Sequence, residues 1–288
     1  MNERDAGGAA ELLDILNLET IEENLFRGRN EQRGGGRLFG GQVLGQSLAA
    51  ASLTVTPDRP CHSLHAYFLR PGNRTVPVVY QVERIRDGRS FTTRRIVAIQ
   101  RGEAIFSMDA SFQLPEDGLH HTQPMPDIPG PDELIDDVDY AAQHPGSTLF
   151  SGWMTRDRPF EMRSAWQDPE RRTDNVSNPI WLRFRAPVPE ASRVGQYLLA
   201  YASDMGLVST SMIPHRDTVK RDRVQMASLD HALWFHRQFD PNDWILYIKQ
   251  TTAAAGSRGF NRGLFYTTRG ELIAETMQEG LMRQHDPF

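Results

Sequence analysis

Apolar positions between residues 39 and 55 recur at spacings of three and four, which is the period of one face of an α-helix. The stripe consists of apolar and small residues, namely Val43, Leu44, Ser47, Leu48 and Ala51. Four segments rich in aromatic and β-branched residues follow, at 63–69, 76–85, 90–100 and 103–113. Short turns at Asp87-Gly88 and Arg101-Gly102 separate the last three. A helix followed by a meander of strands predicts an α+β layer, with the helix laid on an antiparallel sheet.

The second half of the chain repeats this order of elements. A helix is predicted at 194–212, with strands before it at 160–166 and 180–185 and after it at 227–235, 244–252, 260–268 and 271–282. Residues 114–148 are rich in Pro, Asp and Gly, which is typical of a linker, and we expect part of this segment to pack as an irregular loop. The pattern predicts two domains, 1–114 and 151–288, joined by residues 115–150.

Composition narrows the class of protein. Of the 288 residues, 39% are hydrophobic and 24% charged, which is enough apolar material for a packed core. The net charge of -5 argues against a nucleic-acid partner, which would favour a basic surface. No apolar run is long enough for a membrane span. The single cysteine, Cys61, cannot form an intramolecular disulfide and lacks an activating context, so we expect a cytoplasmic protein without a signal peptide.

Asp204 stands out because it is the only acidic or basic residue between positions 194 and 214. A lone carboxylate inside an apolar helix must find hydrogen-bond partners or shift its pKa. The alternative is an exposed polar face made by Ser203, Asp204 and Ser211.

Two polar residues on predicted strands are further candidates. Ser228 opens a strand with strong alternation, although a hydroxyl at a strand start is usually structural. Gln278 lies in the last strand, on the face that also carries Ala274 and Thr276. A side-chain amide can position a water without titrating, but an interior glutamine is more often a structural group.

Arg258 and Arg262 flank the glycine-rich bend GSRGFNRG. Exposed backbone N–H groups and two guanidinium groups suit contact with a phosphate, and the alternative is a solvated hairpin. The segment 45–49 lacks the final glycine of a nucleophile elbow, and the histidine pairs lack the spacing of a zinc site, so no metal is expected.

Five blocks of the sequence resemble the acyl-CoA thioesterase II family. They are FRGRNEQRGGGRLFGGQVLGQSLAAA, HSLHAYFLRPG, LLAYASDMGL, SLDHALWFHRQFDPNDWILY and SRGFNRGLFYTTRGELIAETMQEGLMR. They occur in the family's order with similar spacing, and the resemblance runs over nearly the whole chain outside the linker. The resemblance implies a double hotdog fold, in which each half wraps an antiparallel sheet around a central helix. It also implies an acyl-CoA substrate, no cofactor, and a homodimer or homotetramer.

The resemblance further implies a mechanism without an acyl-enzyme. An Asp on the second central helix, a hydroxyl opening a strand and a Gln on the last strand would together hold and activate a water. These roles fall on Asp204, Ser228 and Gln278; many members have Thr where Ser228 stands, but the hydroxyl is retained. A backbone N–H near Gly40 and Gly41 is a candidate oxyanion donor if the two halves share a site.

We expect one active site per chain. The first helix has no acid between residues 39 and 54, and alignment of the last strands places Ala110 opposite Gln278, within a residue or so. Two alternative functions are an enoyl-CoA hydratase, which would pair an Asp with a His, and a non-catalytic acyl-CoA binding protein. Asp230 and His231 are adjacent on a strand and point to opposite faces, which weakens the first alternative.

Overall fold

The computed structural model describes residues 7–31, 36–144, 158–167, 172, 174–189 and 193–284. Its helices are α1 Gly7–Leu16, α2 Gly40–Leu53, α3 Asp137–Gln143 and α4 Val194–Ser203. Its strands are β1 Glu19–Glu22, β2 Leu25–Gly28, β3 Cys61–Phe68, β4 Val78–Asp87, β5 Phe91–Gln100, β6 Glu103–Gln113, β7 Phe160–Ser164, β8 Ser177–Phe184, β9 Val224–Ser228, β10 Asp230–Phe235, β11 Ile245–Ala255, β12 Arg258–Thr267 and β13 Leu272–Gln284.

Within the described residues all thirteen strands belong to one antiparallel sheet. Its order is β1-β2-β4-β5-β6-β3 in the first half and β10-β13-β12-β11-β8-β7 in the second, so the second half mirrors the first; the short β9 also pairs with β13. The two halves join where β3 pairs with β10, with Leu64 opposite Leu233. The predicted α+β fold, a helix on an antiparallel sheet repeated twice, is confirmed.

Helices α2 and α4 lie against each other inside the curved sheet and form the centre of the core. Small residues allow the close approach. A side chain at Gly41 would place its Cβ 2.3 Å from the carbonyl oxygen of Tyr201, and one at Gly45 would reach within 3.0 Å of the carbonyl oxygen of Tyr197. Every α2 residue from Gly41 to Ser52 is buried, so the helix is enclosed on all faces and not only along the predicted stripe.

Helix α4 is shorter than the predicted 194–212. It ends at Ser203, and the chain turns at Gly206 with a φ of +69° before a 3₁₀ segment at Val208–His215. Side chains of β11 satisfy carbonyl groups at this end: the Tyr247 hydroxyl donates to Ser203 O at 2.5 Å, and Lys249 Nζ donates to Met205 O at 3.3 Å. The early end places Asp204 at the C-cap instead of inside a helix.

Part of the linker, from Met125 to Leu134, packs on the outer face of the second half of the sheet. Met125, Ile128 and Leu134 join a second apolar cluster with Trp166 and Trp181. The Trp181 indole N–H donates to the carbonyl oxygen of Pro129 at 2.8 Å. The expectation that part of the linker packs is therefore met. The domain limits stay a prediction, and the boundary between residues 150 and 151 lies outside the described residues.

Candidate active site

The structure buries Asp204 at the junction of the two halves. Its relative exposure is 6%, and Ser203 and Ser211 are fully buried, so the alternative of an exposed polar face is wrong. The carboxylate has three donors: Gln278 Nε2 at 2.7 Å from Oδ1, Ser228 Oγ at 3.3 Å from the same oxygen, and the backbone N–H of Gly41. The three predicted residues therefore meet at one carboxylate.

Ser228 reaches Asp204 because the strand pairing slips at this point. Ser228 is the last residue of β9, not the first residue of a strand as predicted, and it pairs with Gly280. On the other side of the slip, Ala232 pairs with Met277. The four residue steps from Ser228 to Ala232 therefore match only three steps on β13, from Gly280 to Met277. This one-residue bulge turns the Ser228 hydroxyl toward Asp204, whereas unbroken alternation would place it on the outer face.

Gln278 is fully buried on β13 and contacts Asp204 from the core side. Its Oε1 atom has no hydrogen-bond partner among the described residues. Asn261 is the residue directly opposite on β12; its Oδ1 accepts from Ser211 Oγ at 2.8 Å, and its Nδ2 also lacks a partner there. Behind Asp204, the acceptor Gln278 Oε1 and the donor Asn261 Nδ2 therefore both lack a partner among the described residues, although the two residues lie opposite each other on β13 and β12.

The N-terminus of α2 faces Asp204 across the interface between the halves. No side chain caps this helix, and the Asp204 carboxylate takes that part by accepting from the Gly41 N–H. The approach is so close that a Cβ on Gly40 would lie 2.6 Å from Asp204 Oδ2. Only glycine fits at position 40 without moving the carboxylate.

Burial and hydrogen bonding act on the pKa of Asp204 in opposite directions. Burial disfavours the charged carboxylate and raises the pKa, while the donors Gln278, Ser228 and Gly41 lower it. Burial prevails, and the pKa rises from 3.8 to about 6. At neutral pH the group is still mostly ionised and is a stronger base than an exposed aspartate.

His231 is a site residue that the sequence did not single out for this position. It is fully buried on β10, with its Nδ1 atom 3.1 Å from Gln278 Nε2. Its Nε2 atom lies 2.8 Å from Ser203 Oγ and 3.0 Å from Thr276 Oγ1. Burial lowers its pKa to about 3, so the ring is neutral. The alternation of apolar and polar residues in 229–235, which puts His231 among inward residues, was the available signal.

The pair Ser203 and His231 is not a nucleophile with its base. The Ser203 hydroxyl is fully buried and donates to Ala200 O at 2.8 Å. The other nitrogen of His231 faces the amide of Gln278, not a carboxylate as in a Ser-His-Asp triad.

A cavity of about 950 Å³ opens beside this cluster and is lined by both halves of the chain. Gly40, Asp204 and Ser228 line it, whereas Gln278 does not. Much of its wall is apolar and is formed by Leu38, Phe39, Val43, Phe68, Phe106, Tyr201, Val208, Met226 and Leu229.

Arg258 and Arg262 do not line this cavity. Arg258 Nε donates to Glu279 Oε1 at 2.7 Å, and Arg262 Nε donates to Gln250 Oε1 at 3.0 Å, so both contact neighbouring strands of their own sheet. The geometry gives the predicted phosphate contact at these two residues no support. The cavity is instead lined by other arginines, which sequence reasoning missed: Arg37, Arg70, Arg74, Arg158 and Arg221.

Among its described residues, the first half has no counterpart of the Asp204 cluster. The pairing of Leu64 with Leu233 relates the halves, and their partners in the neighbouring strands are Ala110 and Thr276. Ala110 therefore corresponds to Thr276, two residues away from the predicted correspondence with Gln278.

The counterpart of Gln278 is Phe112, which is fully buried and apolar. The same pseudo-symmetry relates the Asp204 site to one end of the first half. Other polar groups lie there. Gln196 Nε2 donates to Cys61 O at 2.7 Å and Gln196 Oε1 accepts from Cys61 N at 3.1 Å. Burial raises the pKa of the Cys61 thiol to about 12, as suits a structural cysteine.

The described residues offer neither a cluster of metal ligands nor a helix that could cross a membrane. No three His, Cys, Asp or Glu side chains there are grouped closely enough to hold a metal ion. No helix there has the length and hydropathy of a membrane span.

Comparisons with known proteins agree with the fold and with the order of elements. A family model described as acyl-CoA thioesterase matches residues 151–281, and one described as acyl-CoA thioesterase N-terminal domain matches residues 29–113. Acyl-CoA thioesterase 2 of Haemophilus influenzae is 37% identical over 94% of this chain and 96% of its own length.

Solved structures show the same likeness. The crystal structure of acyl-CoA thioesterase II TesB2 from Mycobacterium marinum is 38% identical, with a TM-score of 0.80 over 96% of this chain and 99% of that one. A hot dog fold protein from Alicyclobacillus acidocaldarius is 19% identical, with a TM-score of 0.71 over 96% of this chain and 99% of that one, and shows the fold alone.

The fold, the two family models and the relatives define a double hotdog protein of the thioester hydrolase class. By its close relatives and by both family models, the chain belongs to the acyl-CoA thioesterase family and is an enzyme of the type II branch.

Proposed function

We propose that this chain hydrolyses acyl-CoA thioesters by direct attack of a water that Asp204 activates. One observation carries the proposal: a carboxylate with a raised pKa lines the cavity while three donors hold it in place. The names of the relatives supply the substrate class, an acyl-CoA.

The proton transfers follow from this geometry. A water beside Asp204 attacks the thioester carbonyl carbon while the carboxylate takes one of its protons. The tetrahedral intermediate then collapses, the C–S bond breaks, and the proton passes from Asp204 to the leaving sulfur. The products are a fatty acid and CoA, with the enzyme unchanged.

Ser228 and Gln278 have different parts in this scheme. Ser228 lines the cavity and donates to Asp204 Oδ1, so its hydroxyl stands where it can also contact the attacking water. Gln278 acts from behind by donating to the same oxygen, which makes it a positioning residue for the carboxylate. The three residues form the trio that the resemblance implied, with Gln278 one step removed from the water.

The N-terminus of α2 is the proposed source of the oxyanion donor. The Gly41 N–H is already engaged by Asp204, which leaves the cavity-lining Gly40 as the candidate of the two glycines. The positive end of the helix dipole favours negative charge at this point.

The cavity suits a large amphipathic substrate. A volume of about 950 Å³ lies at the upper end of the range for ligand pockets, and its aromatic and aliphatic wall fits an acyl chain. Four arginines, Arg37, Arg70, Arg74 and Arg221, offer positive charge to the phosphates of CoA, the role that the sequence had suggested for Arg258 and Arg262.

The hydratase alternative gains nothing from the structure. Asp230 Oδ1 accepts from the Glu279 N–H at 2.6 Å, while His231 is buried on the other face of β10. Asp230 and His231 therefore do not form an acid–base pair.

The test is a panel of saturated acyl-CoA substrates from short to long chains, with free CoA measured by a thiol reagent. The wild-type protein should release CoA, and Asp204→Asn should not. A hydratase or a pure binding protein would release no CoA, and an active Asp204→Asn would exclude the proposed base. A cytoplasmic location and a dimeric or tetrameric state stay predictions, the second to be checked by light scattering.

A further inference from the structure

His231 stands behind Gln278, as the third layer of side chains counted from the cavity. The cavity wall carries Asp204, Gln278 contacts Asp204 at 2.7 Å, and His231 contacts Gln278 at 3.1 Å. All three side chains are buried, so each hydrogen bond that joins them must run from a donor to an acceptor.

Starting from Asp204, the direction of each hydrogen bond between Asp204, Gln278 and His231 can be worked out. An ionised carboxylate only accepts, so the amide atom of Gln278 that faces it must be the nitrogen. That nitrogen has a second N–H, which points at His231 Nδ1. The Nδ1 atom must therefore be unprotonated, because it can only accept there.

The opposite side of the ring leads to the same tautomer. The Ser203 hydroxyl donates to Ala200 O and the Thr276 hydroxyl donates to Ala232 O, each at 2.8 Å. Both oxygens are then left to accept from the ring, so His231 Nε2 carries the proton and shares it between them. Burial, which keeps the imidazole neutral, is consistent with this assignment.

We propose that His231, as its neutral Nε2–H tautomer, is a positioning residue that holds the Gln278 amide so that one N–H stays on Asp204. A flipped amide would point its oxygen at both the carboxylate and the Nδ1 lone pair, and both contacts are repulsive. His231 thereby acts on the base through Gln278 and does not touch the substrate.

The surroundings supply few other charges. Helix α4 faces the ring with Ser203, β13 with Thr276 and Gln278, and the neighbouring β3 with Ala66. From β11 come Tyr247, whose hydroxyl bonds to Ser203 O, and Lys249, whose ammonium group lies 5.4 Å from the Tyr247 ring centre. Asp204 is thus the group whose titration should report on the state of His231.

Removal of the acceptor, His231 Nδ1, should produce a specific kinetic change. Without Nδ1, one N–H of Gln278 loses its partner and the amide is free to turn away from Asp204. The pKa of Asp204 then rises further, because the donor that lowers it most is lost. The acid limb of the pH profile moves to higher pH, while substrate binding is untouched.

The experiment compares His231→Leu, which removes the acceptor, with His231→Asn, whose Oδ1 can stand near the Nδ1 position. His231→Leu should lower kcat by roughly tenfold or more, keep KM within about twofold, and raise the acid limb of kcat/KM. His231→Asn should recover most of kcat and the wild-type limb. The control is His62→Leu at the equivalent place on β3, where the ring contacts Ser111 Oγ instead; it should change neither.

Results that overturn the proposal are equally specific. One is a His231→Leu variant with wild-type kcat and pH profile. Another is a loss of kcat with an unmoved acid limb, or with no recovery in His231→Asn. If His231→Leu does not fold, ¹⁵N NMR of histidine-labelled wild-type protein decides: an unprotonated Nδ1 supports the proposal and a protonated Nδ1 refutes it.

This inference rests on the proposed function, and the two can fail separately. If Asp204→Asn still hydrolyses acyl-CoA, the proposed base is wrong. If Asp204→Asn is inactive while His231→Leu behaves as wild type, only the part assigned to His231 is wrong.

Discussion

Replacing Gly40 with alanine should displace the Asp204 carboxylate without removing it, which tests whether its position matters for catalysis. The new Cβ would stand 2.6 Å from Asp204 Oδ2 and 2.8 and 3.0 Å from two ring atoms of Phe68. The methyl group is therefore too close to both side chains. Asp204 keeps its charge and its neighbours in sequence, but it must shift.

The size of the effect follows from the distances. Ordinary contacts begin at 3.4 Å, so relief of the 2.6 Å contact requires a displacement of about 0.8 Å. The Ser228 hydrogen bond is already 3.3 Å long and would break. A misplacement of about 1 Å typically costs about a hundredfold in rate, so kcat should fall by about that factor. The overpacking cost of about 1–3 kcal/mol is partly offset by the better helix propensity of alanine.

The assay is release of CoA followed with a thiol reagent, with kcat and KM determined separately and thermal unfolding measured alongside. Gly45→Ala is the matched control, because Gly45 lies on the same helix and its Cβ would meet Tyr197 O at 3.0 Å, away from Asp204. The control should keep kcat within about twofold. A folded Gly40→Ala variant with kcat near that of the wild type would refute the reasoning.

Four further predictions follow from the site. Activity should rise with pH through about 6, where the buried Asp204 base loses its proton, and a flat kcat/KM between pH 5 and 7 would contradict this. Asp204→Asn should be inactive yet more stable than the wild type at pH 7.5, by up to about 3 kcal/mol in urea unfolding. Because the pKa of Asp204 is higher in the folded than in the unfolded protein, the wild type loses stability as pH rises from about 4 to 6. The advantage of the variant should therefore vanish below pH 4. Ser228→Thr should keep kcat within about threefold, whereas Ser228→Ala should lose about tenfold or more, and equal rates would exclude a part for the hydroxyl. Arg74→Ala should raise KM for acyl-CoA by up to about fivefold but not for an acyl-pantetheine lacking the nucleotide phosphates, with Arg262→Ala unchanged for both.

Much of the fold could be predicted from the sequence because its signals are local. The stripe of α2 and the alternation of the long strands set their own elements, and the paired Arg-Gly turns at Gly102 and Gly270 both adopt a φ of +80°. The end of α4 could not be predicted in the same way. Apolar spacing continues to Met212, but Gly206 and the hydroxyl and ammonium donors on β11 end the helix at Ser203.

The site was less accessible to sequence reasoning, for physical reasons. Asp204 was detectable as a lone charge among apolar residues. Ser228 was placed at a strand start, because a one-residue bulge leaves no mark in the alternation pattern. The part of Gly40 depends on a contact between halves more than 150 residues apart in sequence, and the arginines around the cavity come from both halves, which no single local motif records.

The most direct test of the central claim is single-turnover hydrolysis of a saturated acyl-CoA by the wild-type protein and by Asp204→Asn, with CoA and fatty acid quantified in each quenched sample. Direct attack by an Asp204-activated water predicts that the two products appear together at one rate in the wild type, and that this rate falls by about 10² or more in Asp204→Asn. A burst of CoA ahead of the fatty acid, or an Asp204→Asn rate equal to that of the wild type, would contradict the account.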